Sequence, residues 1–324
     1  MSNRILVTGG AGYLGSMLTT DLLARGHIVR VLDSLAVGDG SSVLQHWGRK
    51  EFEFRAGDVR DQDVRRFALD DVDAVVHLAA IVGDPACARD PDAARMVNLD
   101  ATRALLDECA SSQVSRFVFA STCSNYGKLV DVDAVATEDW ELRPVSLYAE
   151  TKVAAELAVS AAARDGFAAT CLRFATLYGV SARMRFDLTV NEFARDALVN
   201  GELVVYGEQF WRPYVHVRDA ARAIVGVLEA APATVAGEVF NVGDTAQNFR
   251  KQDLVEALVA RLPDTTVERV ARTEDPRDYR VSFAKIRETL GFAVTRTVSD
   301  GIDEVVGLLR SGVIADPFGA AFRN

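Results

Sequence analysis

The sequence predicts an α/β protein: a doubly wound parallel sheet with a smaller, intercalated α/β substrate-binding lobe toward the C-terminus. Three observations predict it. Short β-branched runs alternate with helical stretches through the first half, the pattern of parallel strands joined by crossover helices. A glycine cluster stands between the first such run and the first helical stretch. The 324 residues, 49% hydrophobic and 25% charged, exceed one minimal domain and keep ordinary globular composition.

Taken in order, RILVTG (4–9), HIVRVLD (27–33), FEFRAGD (52–58), DAVVHLAA (73–80), RFVFAST (116–122) and ATCLRFATLYG (169–179) read as six strands. Helices are expected near 13–25, 61–68, 92–111 and 147–164. The last follows Pro144, takes Ser146 as N-cap and stops at Gly166. Beyond residue 179 the alternation weakens. A helix over 187–200 leads to short strands at 202–207 and 214–217. A helix at 218–230 and a strand at 238–243 return to the main sheet, and helices at 251–262 and 299–310 flank a polar, Arg-rich stretch. Residues 1–179 with about 213–245 form the expected nucleotide-binding domain, and 180–212 with 246–324 the second lobe.

The net charge of −10 argues against a phosphate-backbone partner, because nucleic-acid binders present a basic face. It leaves room for a small anion, which needs only a few local cations. Cys87, Cys109, Cys123 and Cys171 form no CxxC pair and no Cys/His metal spacing, so free thiols in a reducing cytoplasm are expected, with no metal. The opening MSNRILVTGG leaves no room for a signal peptide, and no apolar run reaches the roughly 18 residues of a membrane helix. A cytoplasmic protein is expected.

Gly9-Gly10-Ala11-Gly12-Tyr13-Leu14-Gly15 satisfies GxGxxG from Gly10 and GxxGxxG from Gly9. Such glycines let backbone approach a pyrophosphate, and the helix N-terminus beyond favours negative charge. Asp33 ends the second strand, 18 residues past Gly15. A carboxylate there accepts from both ribose hydroxyls and repels a 2′-phosphate. No Arg or Lys follows before Arg49, so NAD is favoured over NADP. A carboxylate that merely caps a turn is the plainer alternative. Asp58 and Val59 either flank the adenine or form a simple turn.

Tyr148 and Lys152 stand four apart and share one face of a helix. An ammonium beside a phenol stabilises phenolate, which then takes a proton from a hydroxyl as hydride leaves the same carbon. An ordinary amphipathic pair has the same spacing; the position after the fifth strand gives this one its interest. Thr122 ends that strand, at the sheet edge where a hydroxyl meets substrate oxygens.

With GGAGYLG, Asp33, Gly57-Asp58-Val59, HLAA (77–80), STCSNYG, YAETK, RFATLYG (173–179) and WRPYVHVRD (211–219), the chain resembles the extended short-chain dehydrogenase/reductase superfamily. Within it, the chain is similar to the NAD-dependent sugar-nucleotide epimerase/dehydratase group. The matching motifs span residues 5 to about 245. The resemblance implies a Rossmann fold and NAD held by Gly9, Gly12, Tyr13, Leu14, Gly15, Asp33, Asp58, Val59, Leu78, Ala79, Ala80, Tyr148 and Lys152. It also implies a nucleoside-diphosphate sugar as substrate, with Tyr148 as acid–base, Lys152 as its partner and Thr122 on the sugar. Arg212 and Asn191 are implied near the diphosphate or sugar, together with an arginine from DPRDYRVS (275–282), where Asp275 holds the family's arginine place and Arg277 and Arg280 lie close. A homodimer through the helices at 92–111 and 147–164 is implied too, although crossover helices cover a sheet in any case.

The departures narrow the reaction. The Asp–Glu pair that the resemblance associates with 4,6-dehydration is replaced by Cys123 and Ser124, and the decarboxylase acid is missing there too. The cysteine of GDP-sugar 3,5-epimerisation is one place out of register. Reversible oxidation at one carbon remains: C4 epimerisation through a keto-sugar, or an NAD(P)H-dependent keto-sugar reductase. A non-catalytic NAD-binding scaffold has no use for Thr122, Tyr148 and Lys152 together.

Overall fold

The structure is a computed structural model that describes residues 3–129, 131, 134–272 and 277–324. Its centre is a seven-stranded sheet built from β1 (Arg4–Thr8), β2 (Ile28–Asp33), β3 (Phe52–Ala56), β4 (Ala74–His77), β5 (Arg116–Thr122), β6 (Ala168–Phe174) and a late strand, β10 (Val239–Val242). The order is β10-β6-β5-β4-β1-β2-β3, and every pairing is parallel. The order reverses between β1 and β4, which opens a crevice at the carboxyl ends of these two strands.

Both faces are covered, so the strands read as apolar runs. Side chains alternate: Ile5 and Val7 join the core beneath α1 (Tyr13–Ala24) and α8 (Val217–Glu229), whereas Leu6 joins the core on the opposite face. That face is covered by α2 (Gln62–Leu69), α5 (Ala101–Ala110) and α6 (Leu147–Ala162). Asp61 caps α2 by accepting from Asp63 N and Val64 N, and Ser146 caps α6 by accepting from Ala149 N at 3.3 Å.

The expected helix at 92–111 is present over 91–110, as α4 (Pro91–Arg95), a π turn at Met96–Asp100 and α5 in one unbroken run, preceded by the short α3 (Asp84–Arg89). The wide turn has a local cause. The Asn98 amide accepts from Ile81 N at 2.8 Å and donates to Ile81 O at 3.0 Å, pinning the chain after β4. Such π turns recur at functional sites.

The expected sixth strand also divides. After β6 the chain changes sheets, and β7 (Thr176–Tyr178) pairs with β9 (Trp211–His216), which also pairs with β11 (Asn248–Arg250). Residues 213–216 therefore lie in this three-stranded sheet and not in the main one. The second lobe is completed by α7 (Thr189–Val199), β8 (Glu202–Tyr206), α10 (Lys251–Val259), β12 (Thr266–Val270) and α12 (Val298–Arg310), whereas the short α9 (Pro232–Val235) and α11 (Ala284–Leu290) place Val235 and Ile286 in the core of the main sheet. The second lobe has its own apolar core around Phe186, Leu203, Leu254 and Ile302. Among the described residues, no helix is long and apolar enough to cross a membrane.

Candidate active site

The glycine loop leads from β1 into α1 at the crevice. Gly9 is left-handed (φ 71°), and a Cβ there would lie 2.8 Å from Ala79 N; at Gly15 it would lie 2.2 Å from Gly9 O. These two glycines let the loop fold against itself and against Leu78-Ala79-Ala80. Gly12, the N-cap of α1, has no side chain to cap the first turn, and no acidic residue sits there. The helix therefore presents uncompensated N–H groups at its positive end. Asp33 binds the same loop, accepting from Ala11 N at 3.0 Å and from Leu35 N at 2.9 Å. A helix start open to an anion, with a carboxylate at the end of β2, fits a dinucleotide.

Other residues of this cradle have local work. The Tyr13 hydroxyl points to the second lobe and donates to Gly179 O at 2.6 Å, leaving its backbone for the cradle. Asp58 pairs with Arg60 at 2.7 Å and accepts from Arg60 N, so its side chain forms the simple turn; Arg60 holds its pKa below the usual carboxylate range. The Val59 side chain is buried in the apolar core. His77 sits between Thr8 Oγ1 (2.7 Å) and Thr102 Oγ1 (2.9 Å), and burial pushes its pKa down to about 3, so it stays neutral.

The expected catalytic residues lie where α6 meets β5. Lys152, buried, donates from Nζ to Ala120 O at 2.9 Å and lies 4.7 Å from the Phe119 ring centroid. Thr122 ends the same strand, and its Oγ1 accepts from Ser124 N at 3.1 Å. Tyr148 stands one turn before Lys152, half-buried at the start of α6. The expected effect of Lys152 on Tyr148 is corrected here. Burial raises the Tyr148 pKa, with Cys87 adding to the rise and Arg185 opposing it, while burial lowers Lys152 to about 8. Loss of solvent disfavours phenolate and ammonium alike, and the ammonium is turned to the Ala120 carbonyl.

One turn further, Glu156 fixes the helix to the sheet. It accepts from Arg173 Nε at 3.1 Å and from Ser121 Oγ at 2.6 Å, and all three residues are buried. Cys123 is also in the core, donating to Arg173 O at 3.2 Å, with its pKa raised by burial. It is neither an acid nor a thiolate facing the site.

The residues expected on the substrate side come from distant segments. Arg212 is buried, donates to Trp211 O at 2.7 Å and lies over the Tyr279 ring. Arg280 lies over Trp211, and Arg277 pairs with Asp84 at 3.2 Å. Asp275 lies outside the described residues. Asn191 is a correction: fully buried, its amide accepts from Gly179 N at 2.9 Å and donates to Arg185 O at 2.9 Å, so it holds the chain after β7 and does not face a diphosphate.

Sequence reasoning missed Asp84, which accepts from Ser146 Oγ at 2.7 Å, and Arg185, whose charge reaches Tyr148. It also missed a groove of about 440 Å³ beside α7 and β8, lined by Thr189, Glu192, Phe193, Val204, Tyr206 and Lys251. No local motif marks these residues; the fold brings them together.

A family model described as the NAD dependent epimerase/dehydratase family matches residues 5–243. The chain belongs to this family. A dTDP-glucose 4,6-dehydratase of Streptomyces griseus is 30% identical to this family member over 315 residues, 94% of each chain. A UDP-glucose 4-epimerase of Erwinia amylovora is 36% identical over 137 residues, 41% of this chain and 41% of that protein, so the match spans about two-fifths of that relative. Among solved structures, a UDP-glucose 4-epimerase of Thermus thermophilus in complex with NAD superimposes with a TM-score of 0.83 at 30% identity, covering 96% of this chain and 100% of that one. DesIV, a dTDP-glucose 4,6-dehydratase from Streptomyces venezuelae with NAD and TYD bound, gives 0.84 at 29%, covering 95% and 97%. NAD is the cofactor of this family of enzymes, and the cradle fits it.

Proposed function

We propose that this enzyme epimerises a nucleoside-diphosphate sugar, most simply at C4, through a transient keto-sugar. The observation that carries the reading is the pairing of Tyr148 and Lys152 with a site that has no acid at 123 or 124: Cys123 is buried in the core and Ser124 is a hydroxyl. A phenol with a lysine partner supports proton transfer at one hydroxyl, whereas elimination needs a further acid and base.

NAD, when bound, supplies reversible hydride chemistry beside that hydroxyl. Thr122 orients the sugar oxygen, and Tyr148 takes its proton and later returns it. Lys152 turns from Ala120 O to hold the ribose and to stabilise the phenolate. Because burial holds the Tyr148 proton tightly, phenolate forms only as that positive charge gathers beside it. Arg212, with an arginine of 277–280, meets the diphosphate, and the groove beside α7 and β8 holds the nucleoside. In this reading 180–212 and 246–324 form the substrate lobe. A homodimer packs through the helical face bearing the exposed Leu157 and Met96, and the protein works in the cytoplasm.

The test is a thermal-shift screen of UDP-, GDP-, CDP- and dTDP-sugars followed by product analysis on the stabilising ligand. Interconversion of C4 epimers without net NADH change supports the proposal. Net NADH consumption with a keto-sugar overturns it.

A further inference from the structure

The segment after β7 touches the cofactor cradle at two points. Ser181 Oγ donates to Tyr13 O at 2.6 Å, beside the glycine loop. Two residues on, Arg183 is buried against the loop that follows β2, where a Cβ on Gly38 would lie 3.8 Å from its Nε. Arg183 Nη2 donates to Arg323 O at 3.0 Å. The C-terminal residues hold the same segment: Phe186 N donates to Phe322 O at 2.8 Å, the two rings lie 5.5 Å apart, and Asn324 N donates to Asp187 at 3.3 Å. The Arg183 guanidinium lies within electrostatic reach of Asp33; burial and Arg185 pull its pKa down, and Asp187 and Asp33 pull it up.

No Arg or Lys follows Asp33 in the sequence before Arg49, yet the fold sets a buried guanidinium from 150 residues downstream against the loop that follows β2. We propose that Arg183 is a further cofactor-binding residue at the adenosine end, facing the ribose beside Asp33 and held there by the C-terminal residues 318–324. Asp33 accepts from ribose hydroxyls and repels a 2′-phosphate, and Arg183 is the opposing charge that attracts it. Preference between the two dinucleotides is then a balance of two charges, not the effect of one carboxylate.

The experiment measures equilibrium Kd for NAD+ and NADP+ by calorimetry on wild type, Arg183→Gln and Asp33→Asn, with melting curves for each. Arg183→Gln is expected to weaken NADP+ at least tenfold more than NAD+. Asp33→Asn, which leaves the arginine in place, is expected to bind NADP+ more tightly than wild type does. Equal losses of both dinucleotides in Arg183→Gln mean that the residue serves only to tether the C-terminus, and overturn the proposal. If Arg183→Gln does not fold, Arg183→Met, which keeps the apolar stem and removes the charge, takes its place, and the same two outcomes decide.

Discussion

The two halves of the crevice are built differently. On the cofactor side, one contiguous stretch from β1 to the end of β2 supplies the loop, the helix start and the carboxylate. Its parts lock one another: Gly12 N donates to Gly9 O at 3.1 Å, and Ala11 N donates to Asp33 at 3.0 Å. On the substrate side, the charged groups come from residues 84, 185, 212, 277 and 280, and each arginine rests on an aromatic ring or a carboxylate. A backbone cradle tolerates one shape of ligand. Side-chain arginines on rings are more adjustable than a backbone cradle.

The contrast is broken most sharply at the proposed catalytic residue, which stands between the two halves. Tyr148→Phe is expected to lower turnover by about 10³-fold or more while leaving the NAD+ affinity within a few-fold, checked by steady-state kinetics and calorimetry. Next is the anchor behind it. Glu156→Gln leaves Arg173 buried without its partner, and breaking such a pair costs about 3–5 kcal/mol, read as a fall in denaturation midpoint with an unchanged slope. On the cofactor side, Gly15→Ala forces a Cβ toward Gly9 O, and overpacking of about 1–3 kcal/mol should weaken NAD+ binding roughly tenfold to a hundredfold. On the adjustable side, if Arg212, which lies over the Tyr279 ring, meets the diphosphate as proposed, Arg212→Ala should raise KM for the nucleotide sugar about tenfold at nearly constant kcat.

A pH profile sharpens the comparison at the point where the halves meet. Lys152 is charged below about pH 8 and loses its proton as pH rises through that value. Its ammonium supports phenolate, so kcat/KM should fall above about pH 8, and Lys152→Arg should remove that limb because a guanidinium stays charged.

The same contrast explains what was legible in the sequence. The strand pattern and GGAGYLG announce themselves because their determinants are local: period-2 burial, glycine geometry and a carboxylate at fixed spacing. The expectation for Tyr148, Lys152 and Thr122 rests on local pattern in the same way. The π turn at Asn98 was not, because its cause is the backbone of Ile81 in another segment. Asn191 was misjudged because its partners, Gly179 and Arg185, come close only in the fold. The sign of the Tyr148 shift was missed because spacing shows a neighbouring ammonium but not the burial that outweighs it. Short, half-exposed elements such as β12 and α11 carry no strong period to read.

The central claim is oxidation and reduction at one carbon without elimination. The most direct test is turnover in D2O, followed by proton NMR of the recovered sugar nucleotide, with the sugar identified by the thermal-shift screen and with UDP-glucose and dTDP-glucose run alongside. The account predicts a C4 epimer with every carbon-bound hydrogen retained, because hydride is taken and returned without exchange. Deuterium at C5 or C6, or a deoxy keto-sugar product, would show that an acid and base other than Tyr148 act on the sugar, and would contradict it.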